Sequence, residues 1–342
     1  MTFIALLLSV LVAIAVLRKP GARRGLAGAA RAVWPYLAAV VVAALLALWW
    51  YFHRPQPPPR TEALFRGVTY ERFLWNRGRP VVVHLARIDL HEPSISFTTT
   101  PRRAGEPAYA AMTTSQFLVD SGAQLAVNGD FFMPWWSDGP LDYYPHVGQP
   151  TDVLGAAVWE GVEHGYHVVP YSSFCVARDG SVSILEITSP EQRLPDCRLA
   201  VSGKQILVDN GAITEVARAD DAARMRKAAE LHPRTAAALD SSGKVLMLIV
   251  VDGRQPGYSE GVTLEELASI VVEHGGYRAM NLDGGGSATM VVSEGDGRTR
   301  PLNVPFHTRI PWRERPVPNH LGIIAAPLDA EGPPSGDSGN AK

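Results

Sequence analysis

The chain has 342 residues and a formal net charge of −2, which allows one large domain or two of ordinary size. The charge is unevenly divided: residues 1–60 hold seven Lys or Arg and no acid, leaving 25 basic against 34 acidic residues in the remainder. An acidic body lacks the basic face of a nucleic-acid binder, so no nucleic-acid partner is expected, although a local basic pocket stays compatible with it.

In chain order, the first feature is an uncharged run at 2–17. It reads as a short membrane helix, with a cleaved signal as the alternative. No basic segment precedes its apolar stretch, which weakens the signal reading. A second uncharged run, 33–52, is long enough to cross a bilayer as a helix. Trp34 and Tyr36 lie at one end and Trp49, Trp50 and Tyr51 at the other, as aromatic belts would. Five basic residues separate the two runs, so the positive-inside rule puts them in the cytoplasm and the body on the other side. Residues 1–54 are therefore expected to form a membrane anchor with two candidate transmembrane helices. The PQPPP at 55–59 gives a stiff linker over 55–60, 61–327 is the folded body, and 328–342 is a disordered tail.

The body reads as β-rich. Strands are expected near 81–90, 95–99, 124–128, 155–159, 166–169, 181–187, 198–202 and 205–208. The run VLMLIVV at 245–251 suits a central strand covered on both faces. Helices are fewer: 113–120, 220–231, and one from Leu264. Thr263 and Glu266 form a capping box for this last helix, and Leu264, Leu267, Ala268 and Val271 make one buried face. Strand 245–251, this helix and strand 277–282 form a strand–helix–strand unit, which predicts a parallel pair. Ligands bind beyond the carboxyl ends of such strands. There lie Asp252-Gly253-Arg254 and Asp283-Gly284-Gly285-Gly286, so the two loops should be neighbours. Cys175 and Cys197 are expected to form a disulfide if the body faces an oxidising compartment, with two free thiols as the alternative.

Several residues stand out chemically. Consecutive glycine N–H groups can converge on an anion, and glycine lets a ligand approach the backbone closely. A tight turn is the plain alternative for 284–286. Asp283 and Asp252 at neighbouring strand ends suit acid/base work. Taken singly, each is as easily a turn carboxylate bonded to nearby N–H groups. In "HPRT", Arg234 suits bidentate phosphate recognition and His232 proton transfer, against the reading of a surface turn. Asn128 in "VNGDFF" could bond a sugar hydroxyl or only shape a turn. Ser287 follows the glycines in GGSAT, which lacks the last glycine of a nucleophile elbow. Trp135 and Trp136 lie in a Pro- and Tyr-rich loop, 133–150, where they would stack on sugar rings or on one another. With no HExxH, CxxC or EF-hand pattern, neither a metal nor a cofactor is expected.

Taken together, "VNGDFF", "HPRTA", "VDGRQPGYSEGVTLEELA", "NLDGGGSATMV" and "NHLGI" occur in an order that resembles the phosphodiester glycosidase family. The resemblance implies an α/β or α+β domain, a β-rich mixed sheet with flanking helices. It also implies cleavage between a sugar's anomeric carbon and a phosphodiester. On that reading the substrate is a sugar phosphate or polysaccharide. Asp283, Asp252 and His232 are the candidate catalytic residues. Arg234 with the backbone of Gly284, Gly285 and Gly286 would clamp the phosphate. Arg254, Asn128 and Ser287 would complete substrate binding. Asp130 departs from the Gly-Gly that the family carries in its first motif; a carboxylate there would either repel an anion or act on it. A non-catalytic glycan-binding module is the alternative of a different class, and a glycosidase acting on phosphate-free glycans is a third.

Overall fold

The computed structural model describes residues 23–102, 108–218 and 230–328. They fall into two units, 1–54 and 55–342. In the first, Arg23–His53 is one long helix, within which Val33–Tyr51 is long and apolar enough to cross a bilayer. Its large apolar side chains from Val33 to Trp50 are exposed. The first expected span, 2–17, lies outside the described residues, as do 220–229 of the expected helix 220–231 and 329–342 of the expected tail.

The second unit is a β-rich α+β domain built on an eight-stranded sheet. From edge to edge its strands are Arg60–Phe65, Val68–Leu74, Val82–Asp89, Val245–Val251, Arg234–Asp240, Gly276–Leu282, Ile206–Asp209 and Ala212–Ile213. One face packs on the helix Leu264–Glu273. The other packs on two five-stranded sheets, one built around Leu125–Asn128 and the other around Cys197–Gly203. The strand Val245–Val251 shows why the layers form. Leu246, Leu248 and Val250 enter the core shared with the smaller sheets, while Met247, Ile249 and Val251 enter the core under the helix. All six are fully buried, and each such side chain contributes about 1.5–3 kcal/mol of transfer free energy.

The helix from Leu264 begins at the predicted capping box, Thr263 and Glu266 each bonding the other's backbone N–H. A second helix, Thr114–Ser121, starts with the same device at Thr113 and Gln116. The segment expected as a strand at 166–169 is not one; strands flank it at Val162–His164 and Tyr171–Ala177.

The expected mixed sheet is antiparallel in every strand pairing described. Val245–Val251 and Gly276–Leu282 do run in the same direction, but Arg234–Asp240 is inserted between them, antiparallel to both. The crossover helix thus spans two strand spacings instead of one. Cys175 and Cys197 are joined as a disulfide between adjacent strands of one small sheet.

Candidate active site

The inserted strand determines what meets at one end of the large sheet. Arg234 lies opposite Val251 and Thr235 opposite Leu282. The amino end of one strand therefore reaches the edge where its two neighbours end. His232, Arg234, Arg254, Asp283 and the glycines 284–286 all border one cavity of about 900 Å³. Met133, Trp135 and Tyr143 from the 133–150 loop close one side of it, and Phe306, Thr308, Arg309 and Arg315 another.

The three glycines have three separate reasons. A Cβ at Gly284 would lie 2.7 Å from the carbonyl oxygen of Pro233. At Gly285 the backbone is left-handed, with φ +62°, and a Cβ would lie 3.2 Å from the Arg254 guanidinium. At Gly286 it would lie 2.9 Å from the Arg315 guanidinium. The loop is bare because one backbone segment and two guanidinium groups lie on it. Gly285 N–H donates to Pro233 O at 2.8 Å, fastening the loop to the HPRT segment.

Both guanidinium groups are held in the same way. Arg254 donates from Nη2 and Nε to His232 Nδ1, at 3.1 and 3.3 Å. Arg315 donates from Nε to His307 Nδ1 at 3.3 Å and from Nη1 to Ser287 Oγ at 3.3 Å. Burial, and then neighbouring arginines, lower both imidazole pKa values, that of His307 to about 3. Both rings are therefore neutral at pH 7, and each offers the lone pair that a guanidinium needs. Arg315 also lies over the Trp135 ring, 5.5 Å from its centroid, and Lys204 over Phe131 at 4.8 Å. Among the described residues, no carboxylate lies within ion-pair distance of Arg254 or Arg315.

Asp283 is enclosed by protein, with part of its surface open to the cavity. Its Oδ1 accepts from Gly284 N–H at 2.9 Å. Burial raises its pKa, against the pull of Arg315, Ser287, Gly284 and Lys204. Asn128 holds it from behind: its Nδ2 donates to Asp283 O at 2.6 Å, while its Oδ1 accepts from Thr235 Oγ1 at 2.8 Å. Asn128 is fully buried, so it joins two sheets and does not face the cavity.

Asp252 is likewise behind the site. It is 1% exposed and all its acceptor capacity is used. Oδ1 accepts from Val304 N–H at 2.9 Å and Asn303 Nδ2 at 3.1 Å; Oδ2 accepts from Tyr258 at 3.2 Å and faces His84 Nε2 at 3.1 Å. Asn303 continues the chain to Ala288 O at 3.0 Å and takes Met290 N–H at 2.8 Å, fixing the exit of the glycine loop. Asp130 also turns away from the cavity. It accepts from Ser202 N–H at 2.7 Å, from the Ser202 hydroxyl and from Asn319 Nδ2 at 2.7 Å, and burial pushes its pKa up to about 7. The carboxylate that departs from the family motif thus bridges strands and does not border the cavity. His232 has both nitrogens engaged, Nδ1 by Arg254 and Nε2 by Glu230 at 2.9 Å. Arg234 reaches the cavity but donates to Val262 O at 3.2 Å and Glu230 O at 3.1 Å. Burial first, then Arg254, lowers its pKa to about 10, so it keeps its charge at neutral pH.

A cationic cavity with a glycine floor attracts anions, and its one carboxylate is the group there suited to acid/base work. The family model for phosphodiester glycosidases matches residues 121–324, a span that contains the glycine loop and all five Lys and Arg residues that line the cavity. The chain belongs to the phosphodiester glycosidase family. Two solved structures share its fold. The catalytic domain of zebrafish N-acetylglucosamine-1-phosphodiester alpha-N-acetylglucosaminidase, auto-inhibited by its pro-peptide, is 21% identical with a TM-score of 0.54, covering 80% of this chain and 85% of that one. A hypothetical protein from Synechocystis is 17% identical with a TM-score of 0.50, over 79% of this chain; the match spans 64% of that protein's length. No curated protein sequence matches significantly.

Arg315, Lys204, Arg309 and His307 escape a reading of the sequence. Each is a single polar residue in a loop without periodicity. Arg315 lies in PWRERPVPNH, four residues before the "NHLGI" motif, and nothing in its spacing ties it to the glycines. Among the described residues, no group of three or more His, Cys, Asp or Glu is placed to hold a metal ion.

Proposed function

We propose that this protein is a membrane-anchored glycosidase that hydrolyses the bond between an anomeric carbon and a phosphodiester in an envelope or secreted glycan. The observation that carries the reading is a pair of guanidinium groups, Arg254 over Gly285 and Arg315 over Gly286, with no carboxylate within ion-pair distance among the described residues, lining the same cavity as Asp283. A diester phosphate between them gains charge-assisted hydrogen bonds from both sides. As the C1–O bond breaks, the bonding electrons pass to the phosphate oxygen, and the two cations stabilise the second negative charge of the departing monoester. Phosphate neutralised in this way leaves without being protonated. Water then forms the new bond to C1, and its proton passes to the Asp283 carboxylate, whose pKa burial has raised toward the working range of a base.

The helix Arg23–His53 provides the span, and the basic residues before Val33 orient it with the body outside. The disulfide suits that compartment.

One observation favours a second reading, a glycan-binding module without turnover. Ordinary glycoside hydrolysis uses two carboxylates, and Asp283 is the one carboxylate bordering the cavity among the described residues. Incubating the full chain with N-acetylhexosamine- and hexose-1-phosphate methyl esters decides between the readings. Hydrolysis predicts free sugar and methyl phosphate, resolved by phosphorus NMR; sugar binding with no release leaves the binding module. Turnover of aryl glycosides in preference to the diesters would move the activity to phosphate-free glycans. A reporter active only in the cytoplasm, fused after Arg60, tests the orientation and should stay silent.

A further inference from the structure

We infer that the mouth of the cavity is an apolar rim that takes the hydrocarbon chain of a phospholipid-type substrate, so that the diester joins a sugar to a lipid. The inference rests on the phosphate reading of the cavity floor. Two segments build the rim. From 133–147, Met133 and Leu141 are 52% and 60% exposed; from 306–315, Ile310 and Trp312 are 39% and 58% exposed. The segments adjoin: Arg313 Nη1 donates to Leu141 O at 3.2 Å, and the rings of Tyr143 and His307 meet edge to face at 5.6 Å. Met133, Tyr143, Thr308 and Arg309 of these same segments line the cavity, so the apolar surface continues directly from the cationic one.

Two features mark this surface as more than scattered exposed residues. Clustered exposed apolar groups beside a polar cleft mark interaction sites. The backbone that carries Trp312 is also strained. Thr308, Arg309 and Trp312 have φ of +53°, +60° and +68°, and for a β-branched residue such as Thr308 this region is a true outlier. Strain of this kind persists only where the surroundings enforce it, and it concentrates at functional sites. Here Arg313 Nη1 holds Thr308 Oγ1 at 2.8 Å and His307 N–H donates to Arg313 O at 3.0 Å. The fold thus enforces a turn whose outcome is an arginine facing the cavity and an indole left in water. A ligand with its phosphate at Arg254 and Arg315 must carry the rest of the molecule out across that rim. An apolar remainder is the one that gains from Leu141, Ile310 and Trp312, since each methylene withdrawn from water there adds to binding.

The test compares methyl phosphate with octyl phosphate as ligands of the full chain in lipid nanodiscs, below the micellar concentration of the octyl ester. Octyl phosphate is expected to bind at least tenfold more tightly. Trp312→Ser and Leu141→Ser, neither of which lines the cavity, should reduce that advantage to less than about threefold and leave methyl phosphate affinity unchanged. Equal affinities in the wild type, or an advantage that survives both substitutions, would overturn the inference while leaving the phosphate site intact. No binding of methyl phosphate at all would instead remove the phosphate reading. A third ligand, a hexose 6-phosphate, distinguishes the remaining source of affinity: if it matches octyl phosphate, the rim reads a sugar ring and the lipid assignment fails.

Discussion

Arg315 donates to the neutral Nδ1 of His307, as Arg254 does to His232, so each cation over the glycine loop is aimed by a histidine that carries no charge of its own. A carboxylate in that place would aim the guanidinium equally well but would cancel the charge the site needs. Arg315→Lys keeps the charge and loses the planar fork. Its ammonium carries its three donors on one atom, so it cannot reproduce the spread by which Nε reaches His307 and Nη1 reaches Ser287 while Nη2 lies over the glycine loop. The expected result is a fall in kcat/KM for a sugar-1-phosphate diester of about 100-fold, or ~3 kcal/mol, with the melting temperature nearly unchanged. Steady-state kinetics and calorimetry on the same sample check it.

The two aspartates that looked alike should now separate. Asp283→Asn removes the cavity's carboxylate and should reduce turnover at least 100-fold while the protein stays folded. Asp252→Asn faces four donor groups with an amide that is itself half donor, in a fully buried place. It should cost about 3 kcal/mol of stability. Urea titration distinguishes them: a normal midpoint for the first variant, a clearly lowered one for the second. The opposite pattern would return Asp252 to catalysis.

Alanine substitutions along the glycine loop should differ in kind. At Gly284 the added methyl meets the Pro233 carbonyl, which cannot move without the strand behind it, so Gly284→Ala should be destabilised by about 1–3 kcal/mol. At Gly286 it meets the end of the Arg315 side chain, which can swing aside. Gly286→Ala should fold normally and lose activity through displaced Arg315. Activity assays and thermal melts run in parallel decide this; a stable, fully active Gly286→Ala would mean that Arg315 need not lie where it does.

What could be read in the sequence was what local chemistry determines. The capping box at Thr263 and the apolar run 245–251 locate a helix and a strand because each signal acts within a few residues. Arg234–Asp240 left no such trace. Its centre is Ala236, Ala237 and Ala238, poor strand formers that fit only because layers press on both faces. Without it, the spacing of its two neighbours reads as a direct parallel pair, whereas the structure inserts an antiparallel strand between them. The loops at 252–254 and 283–286 were still placed together, since both neighbours of the hidden strand end at the same edge. That Asp283 borders the cavity and Asp252 does not was not legible, because both follow buried strands and only the side-chain partners differ.

The disulfide gives a stability prediction. Cys175 and Cys197 are 22 residues apart, and closing a loop of that size restricts the unfolded chain by about 3 kcal/mol. Reduction with a strong thiol should lower the melting temperature by several degrees and leave the diester kinetics of the folded protein unchanged, since the bridge lies in a small sheet and borders no part of the cavity. A preparation whose melt ignores reductant would show that the bridge is not formed in solution.

The acid limb of stability should carry the mark of His307. The residue is 3% exposed, and burial, Arg315, Arg313 and His146 together hold its pKa at about 3, against about 6.5 in an unfolded chain. Above pH 6.5 the ring is neutral in both states and nothing is lost. Between 6.5 and 3 the unfolded chain takes up a proton that the folded one refuses, so stability falls with pH across that window and levels off below it. By pH 5 the loss reaches about 2 kcal/mol. Asp130 works in the other direction: its folded pKa of about 7 lies above the unfolded carboxylate value, so its protonation favours the fold as pH falls from 7 toward 4. Comparing wild type with His307→Asn removes this opposing contribution, because Asp130 is common to both, and the asparagine amide oxygen can accept from Arg315 without titrating. Denaturant titrations at pH 7 and pH 5 should show the wild type losing about 2 kcal/mol more than the variant. Equal losses would mean that the ring takes up its proton in the folded protein, which would turn it from an acceptor for Arg315 into a third positive charge beside it.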